Sequence, residues 1–250
     1  MKHSDFLTGI AALACGLLFA GCGDDFVDVD TARLEPTRIR GLETDFPVPS
    51  GTWPPNELIE IRFPATMNTP GLNGLNGEGT VIETKWSKLE KDIVYEVNKF
   101  RQNPVQWCQE NGLPMLDGLS LEAEFYSGGP RTGNYNFPAQ IVYPSSGLHK
   151  AALHQTARGV MAHSDASRVQ CYVNYSGWGE NVGTYSGMTG QASSSSASPA
   201  AKIVNEFIRD RNVSDKGHRI NIANPAWDRI GVGCYKNIVV MQFGYGISDK

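Results

Sequence analysis

Histidines and carboxylates are the side chains in this chain whose types and order could do chemistry. His163 and His218 each follow an amphipathic stretch. Glu180 lies in the glycine-rich run 177–183, and Asp210 ends an apolar-faced run that begins near Pro199. Neutral imidazole is a common ligand for zinc and similar divalent ions, and a carboxylate on its other nitrogen fixes the tautomer. Two imidazoles fall short of the three protein ligands usual at catalytic zinc. Glu180 or Asp210 activating a metal-bound water would be the hydrolytic version of this chemistry. For either histidine alone, a structural hydrogen-bonding role is the commoner one.

Other candidates are weaker. The chain has no G-x-S-x-G, H-E-x-x-H or phosphate-loop motif, and the run 177–183 has neither dinucleotide-loop spacing nor a βαβ setting. Ser164 adjoins His163, and adjacent residues rarely align as nucleophile and base. His149 and His154 are five apart on one expected helix, do not share a face, and read as solvated or half-buried. Trp178 reads as packing.

Elements must then be found to position the four residues. Trp86, Leu89, Ile93, Val94, Val97 and Phe100 recur at helical spacing, and the helix should stop before Pro104. Residues 108–147 are rich in Gly, Pro and Asn and read as a long irregular insertion. A second helix is expected over 148–161, with His163 directly after it. A third starts near Pro199, a residue suited to a first turn, buries Ile203, Val204, Phe207 and Ile208, and has Asp210 in its last turn. Gly217 reads as a helix stop before His218. Residues 191–199, with four consecutive serines, read as a surface loop. The runs 230–234 and 238–243, joined by Tyr235-Lys236-Asn237, predict a hairpin. Helices interleaved with short strands, the last two an antiparallel hairpin, point to an α+β or three-layer αβα architecture.

Composition adds bounds. The chain has 250 residues, 40% of them hydrophobic and 19% charged, with a formal net charge of -4. That supports a packed core, and the lack of any Lys/Arg-rich patch argues against nucleic acid as a partner. Lys2 precedes a charge-free run over 6–20 that is too short to span a bilayer and has the length of a signal segment. It ends in Phe19-Ala20-Gly21-Cys22, similar to the lipobox of bacterial lipoproteins, which would make Cys22 the lipidation site; plain secretion is the alternative. Residues 1–22 are thus read as a leader and 23–80 as a Pro/Gly-rich, largely irregular tether in which only 57–63 could form a strand. A folded domain occupies 81–250. Outside the leader, Cys108, Cys171 and Cys234 remain; export would permit one disulfide, with Cys171–Cys234 the expected pair.

Four segments, in order, carry a resemblance to the CAP superfamily (SCP, or sperm-coating-protein-like, extracellular domains), in its bacterial-type branch. Asn98 to Pro104 resembles the family's N-x-x-R-x-x-P pattern. The helix before His163-Ser164 resembles the one leading to its first cleft histidine, and Gly179-Glu180-Asn181-Val182 its G-E-N signature. Residues 208–225 with Gly231-Val232-Gly233 resemble its final helix, cleft histidine and hairpin. The resemblance implies an αβα sandwich with a central cleft. His163, Glu180, Asp210 and His218 would form a cleft tetrad, with His163 and His218 able to hold Zn2+ or another divalent cation. It favours a binding module for lipid, sterol, peptide or glycan, anchored to the cell envelope or secreted, over an enzyme. The alternatives are a metal-assisted hydrolase using Glu180 or Asp210, and a purely structural tetrad. Asp210 replaces a common glutamate, so any reach towards a metal would be shorter. Phe207 replaces a usual tryptophan.

Overall fold

The computed structural model describes Trp53 and residues 58–62, 79–126, 137–186, 197–211, 213–235 and 237–250. The leader, Cys22 and most of the tether lie outside these residues. Within the tether, β1 (Leu58–Arg62) is the one strand expected from sequence, and it pairs antiparallel with β2 (Gly79–Glu83). The domain boundary expected at 81 therefore falls inside a strand. Trp53 also packs edge-on to Trp86, with ring centroids 5.0 Å apart, so regular structure reaches upstream of the boundary.

Helix α1 (Lys88–Gln102) begins with a capping box in which Ser87 Oγ accepts from the Glu90 amide and Glu90 Oε2 from the Ser87 amide. Asn103 ends α1 and caps α2 (Pro104–Glu110), with Pro104 in the first turn, where its missing N–H costs nothing. The segment expected to be irregular is more ordered than its composition implied. It holds β3 (Met115–Leu116) and β4 (Leu119–Ser120) as a tight hairpin, α3 (Leu121–Phe125) and β5 (Tyr143–Pro144).

The central sheet has the order β5-β8-β9-β7, built from β7 (Gly177–Thr184), β8 (Arg229–Tyr235) and β9 (Ile238–Tyr245). β8 and β9 form the expected antiparallel hairpin, with Val232 opposite Met241, and β7 lies at the edge with Glu180 opposite Gln242. Side chains alternate across a strand, so each face gathers its own set. Ile230, Val232, Cys234, Val239, Met241 and Phe243 join the core formed with α1 and α6 (Pro199–Arg209). The other face presents Gly231, Gly233, Val240 and Val182 to α4 (Ser146–Ala157). A Cβ on Gly231 would lie 2.1 Å from the Leu148 backbone, so only glycine lets α4 sit this close. Helix, sheet, helix is the α+β sandwich read from the sequence.

Short elements complete the domain: α5 (Ala166–Gln170), β6 (Val173–Asn174), α7 (Gly217–Ala223) and β10 (Ser248–Asp249), which pairs with β6. Several expectations need correction. α4 ends at Ala157, not 161, because Gly159 takes a left-handed φ of 66°. Gly217 opens a helix rather than stopping one. His149 is fully buried, donating Nδ1–H to the Val232 carbonyl at 2.6 Å and stacked on Trp86; burial pushes its pKa down to about 4. The expected Cys171–Cys234 bridge is absent: Cys234 is buried on β8, Cys171 is exposed beyond α5, and both are free thiols, as is buried Cys108. Among the described residues, no helix is long and apolar enough to cross a membrane.

Candidate functional site

The four tetrad residues assemble as two imidazole–carboxylate pairs. His163 Nδ1 lies 2.8 Å from Glu180 Oε1, and His218 Nδ1 lies 2.7 Å from Asp210 Oδ1. Each ring meets its carboxylate through Nδ1, which leaves Nε2 as the nitrogen to meet a ligand. Both carboxylates are enclosed, with side-chain exposures of 2% for Glu180 and 0% for Asp210, while the histidines are 65% and 24% exposed. The acids are thus covered and the imidazoles reach solvent.

The first pair is built from β7 and the loop after α4. Gln155 on α4 donates to the Ala162 carbonyl and holds that loop against its own helix. Glu180 Oε1 also accepts from the Ser164 amide at 2.8 Å, and Oε2 accepts from Ser164 Oγ at 2.6 Å and from Gln242 Nε2. Gln242 in turn accepts from Trp178 Nε1. Glu180, Gln242 and Trp178 share one face of the sheet because 178 and 180 are two apart on β7 and 242 stands opposite 180. The hydrogen bond from His163 to Glu180 raises the imidazole pKa above its ordinary 6.5, against a smaller lowering by partial burial.

The second pair joins two helix ends. Asp210 caps the C-terminus of α6 in a left-handed conformation, φ 50° and ψ 47°. That turn carries its carboxylate to the start of α7, where Oδ2 accepts from the His218 amide at 3.0 Å and the Arg219 amide at 3.4 Å. Lys216, the N-cap residue of α7, supplies no side-chain cap, so Asp210 serves as one from a distance. The short aspartate reach that put a metal contact in doubt suits this capping geometry. Phe207, standing where a tryptophan is usual, packs its ring 5.1 Å from that of His218.

Two asparagines link the pairs across the edge strand. Asn181 Nδ2 donates to the His218 carbonyl at 3.0 Å, and Asn221 Nδ2 donates to the Glu180 carbonyl at 3.2 Å and to Asn181 Oδ1 at 2.9 Å. Gly179 makes room for this: a Cβ there would lie 2.8 Å from Asn221 Oδ1. Helix α7 is held at its other end by Arg101, fully buried, which donates to the Ile222, Asn224 and Trp227 carbonyls. Asn98 exchanges two hydrogen bonds with the Val142 backbone. The N-x-x-R pattern thus braces the site's outer wall.

Sequence reasoning named the tetrad but not Gln242, Asn181, Asn221 or Arg219 as site residues. Gln242 did carry a signal, being a polar residue inside an otherwise apolar strand run. Asn181 stood in the G-E-N signature, but nothing in the sequence showed what either asparagine bonds, because their partners, two main-chain carbonyls and each other, lie far along the chain.

The donor set suits a divalent cation in kind, since each imidazole has its outer carboxylate in place. It falls short in number: among the described residues no three His, Cys, Asp or Glu side chains sit close enough to hold a metal ion. Any cation there would take its protein ligands from His163 and His218.

The family model described as "CAP: Cysteine-rich secretory protein family" matches residues 94–242, more than half of the chain and all four tetrad positions. The chain belongs to the CAP family. CAP domains are typically extracellular, which fits the exported reading in general terms. A solved structure described as "Structure of BmVAL-1" is similar, with a TM-score of 0.38 and 20% identity over 62% of this chain and 76% of that one. No curated protein matches the chain.

Proposed function

We propose that this CAP domain is a binding module whose cleft presents two carboxylate-oriented imidazoles to a ligand and, with it, to a divalent cation such as Zn2+. The observation that carries this reading is the occupancy of the two acids. Glu180 accepts four hydrogen bonds and Asp210 three, all from protein donors. A general base needs an oxygen within reach of the water it activates. Neither acid keeps one free of protein donors, which supports a role for both as orienters of histidine rather than as bases.

The ligand is drawn from the lipid, sterol, peptide and glycan classes. The lipobox-like Phe19-Ala20-Gly21-Cys22 supports attachment to a bacterial cell envelope through a lipid on Cys22, with the domain facing outward. The same motif supports the bacterial-type branch of the family.

Titration calorimetry with Zn2+ on the unmutated domain and on the His163→Ala/His218→Ala double variant tests the cation-binding cleft. A saturable signal at pH 7.5 that the double variant lacks is the expected result. Binding should weaken on acidification, because protons compete for the same nitrogens. Undiminished Zn2+ binding by the double variant would sink the reading, as would turnover of a peptide or ester in which both histidines are dispensable.

A further inference from the structure

The hairpin 115–120 and α3 lie outside the tetrad, yet their charged groups converge behind it. Asp117 and Gly118 form the hairpin's two-residue tip with φ of 49° and 82°, the pairing an Asp-Gly tip favours. Asp117 Oδ1 lies 3.1 Å from Lys216 Nζ, and its Oδ2 lies 3.0 Å from Arg219 Nη2. Those two cations hold the end of α6. Arg219 donates to the Ile208 carbonyl at 2.6 Å and the Arg209 carbonyl at 3.1 Å, and Lys216 donates to the Asp210 carbonyl at 3.0 Å. Arg219 also reaches Glu124 Oε1 on α3 at 2.7 Å, with both side chains fully buried.

Three consecutive carbonyls at the C-terminus of α6 are therefore satisfied by the two cations that open α7, and both cations are gripped by one aspartate. Lys216 is itself left-handed at φ 55°. Of the four non-glycine residues with positive φ among those described, three (Asp117, Asp210 and Lys216) meet at this junction. Backbone held in that region persists only where its surroundings over-determine it, and it gathers at functional sites.

We propose that Asp117 is a positioning residue for His218: through Lys216 and Arg219 it fixes the Asp210–His218 turn, so the 115–125 segment sets how tightly that half of the cleft holds a cation. This rests on the reading of the cleft as a cation-assisted binding site, and it assigns a role to a segment the tetrad does not include.

The test is Asp117→Asn, which removes the charge while keeping a side chain that tolerates the left-handed turn. Amide hydrogen exchange is read at His218 and Arg219, whose N–H groups rest on Asp210, and at Ser164, whose N–H rests on Glu180. Exchange at 218 and 219 should rise about tenfold with Ser164 unchanged, and Zn2+ affinity should fall about tenfold, the low end for outer partners of a metal ligand. Asp249→Asn serves as a destabilised control, since Asp249 caps α4 through Ser145 Oγ and the Ser146 amide, away from His218. An equal rise at all three amides in Asp117→Asn, or none at 218 and 219, overturns the proposal. If the unmutated domain binds no Zn2+, the cation reading fails, and the exchange ratio still decides the role of Asp117.

Discussion

The two imidazole–carboxylate pairs present the same chemistry on differently built supports. Glu180 is held mostly by side chains, Gln242 of its own sheet and Ser164 of the neighbouring loop, with the Ser164 amide as its one main-chain donor, and its histidine stands well out in solvent. Asp210 is held by the main chain of α7, and its histidine is three-quarters covered and backed by buried charge. The first support is a hydrogen-bond network that side-chain substitution can adjust. The second is a helix junction that tolerates little, because its donors are backbone amides and its conformation is left-handed. A third buried acid lies elsewhere in the domain. Glu90 is equally buried and accepts from the Ser87 and Cys234 amides, yet has no imidazole beside it. Burial pushes it up to about 7, against lowering by those hydrogen bonds.

The strongest way to break the contrast is Arg219→Met. It takes the guanidinium from the fully buried Glu124, and removing one partner of a buried ion pair costs about 3–5 kcal/mol. Chemical denaturation should show that loss, with the His218 turn disordered and the His163 pair retained in the folded fraction. An unfolding midpoint within error of the parent would mean that the junction is not what holds α7.

Next comes Glu90, the acid without a histidine. Its folded pKa near 7 exceeds the ordinary 4.5, so the folded state binds the extra proton between those values. Stability from this group is fully present below about pH 4.5 and is lost as pH rises through 7, a swing of about 3 kcal/mol. Melting temperatures across pH 4.5–8 should fall accordingly, and Glu90→Gln should flatten the slope. A parent curve flat over that window would show that Glu90 stays ionised in the fold.

The smallest effect, and the sharpest for the comparison, is Glu180→Gln. One amide end must face a donor, which costs about 1–3 kcal/mol, and the His163 pKa should fall back towards 6.5. In the parent, the raised imidazole contributes stability fully present below about 6.5 and lost as pH rises through its folded value. Proton NMR titration of the two imidazoles reads this directly. His163 should move and His218 should not; movement of both would show that Asn181 and Asn221 couple the pairs into one unit.

Long periodic runs made much of this legible in the sequence. The apolar spacing of α1 and α6, the Pro-marked helix starts and the β8–β9 alternation each follow from local burial patterns. The order of His163, Glu180, Asp210 and His218 picked out side chains that the fold joins in two hydrogen-bonded pairs. What escaped were elements too short to be stable alone, whose support is distant. α7 has seven residues and takes its cap from Asp210, across a turn. α3 has five, and Glu124 within it is matched to Arg219 almost a hundred positions later. A Gly- and Asn-rich composition therefore read as irregular chain, although Asp117-Gly118 is a hairpin tip.

Gly231 and Gly233 bear on mechanics as well as packing. Where helix and sheet normally meet through interleaved side chains, rotamer changes give a soft layer on which one can slide over the other. Here α4 rests on main chain at Gly231 and Gly233, where no rotamer change is available to let it slide. A ligand drawing on His163 would meet that mount, and adjustment would fall to the loop after α4.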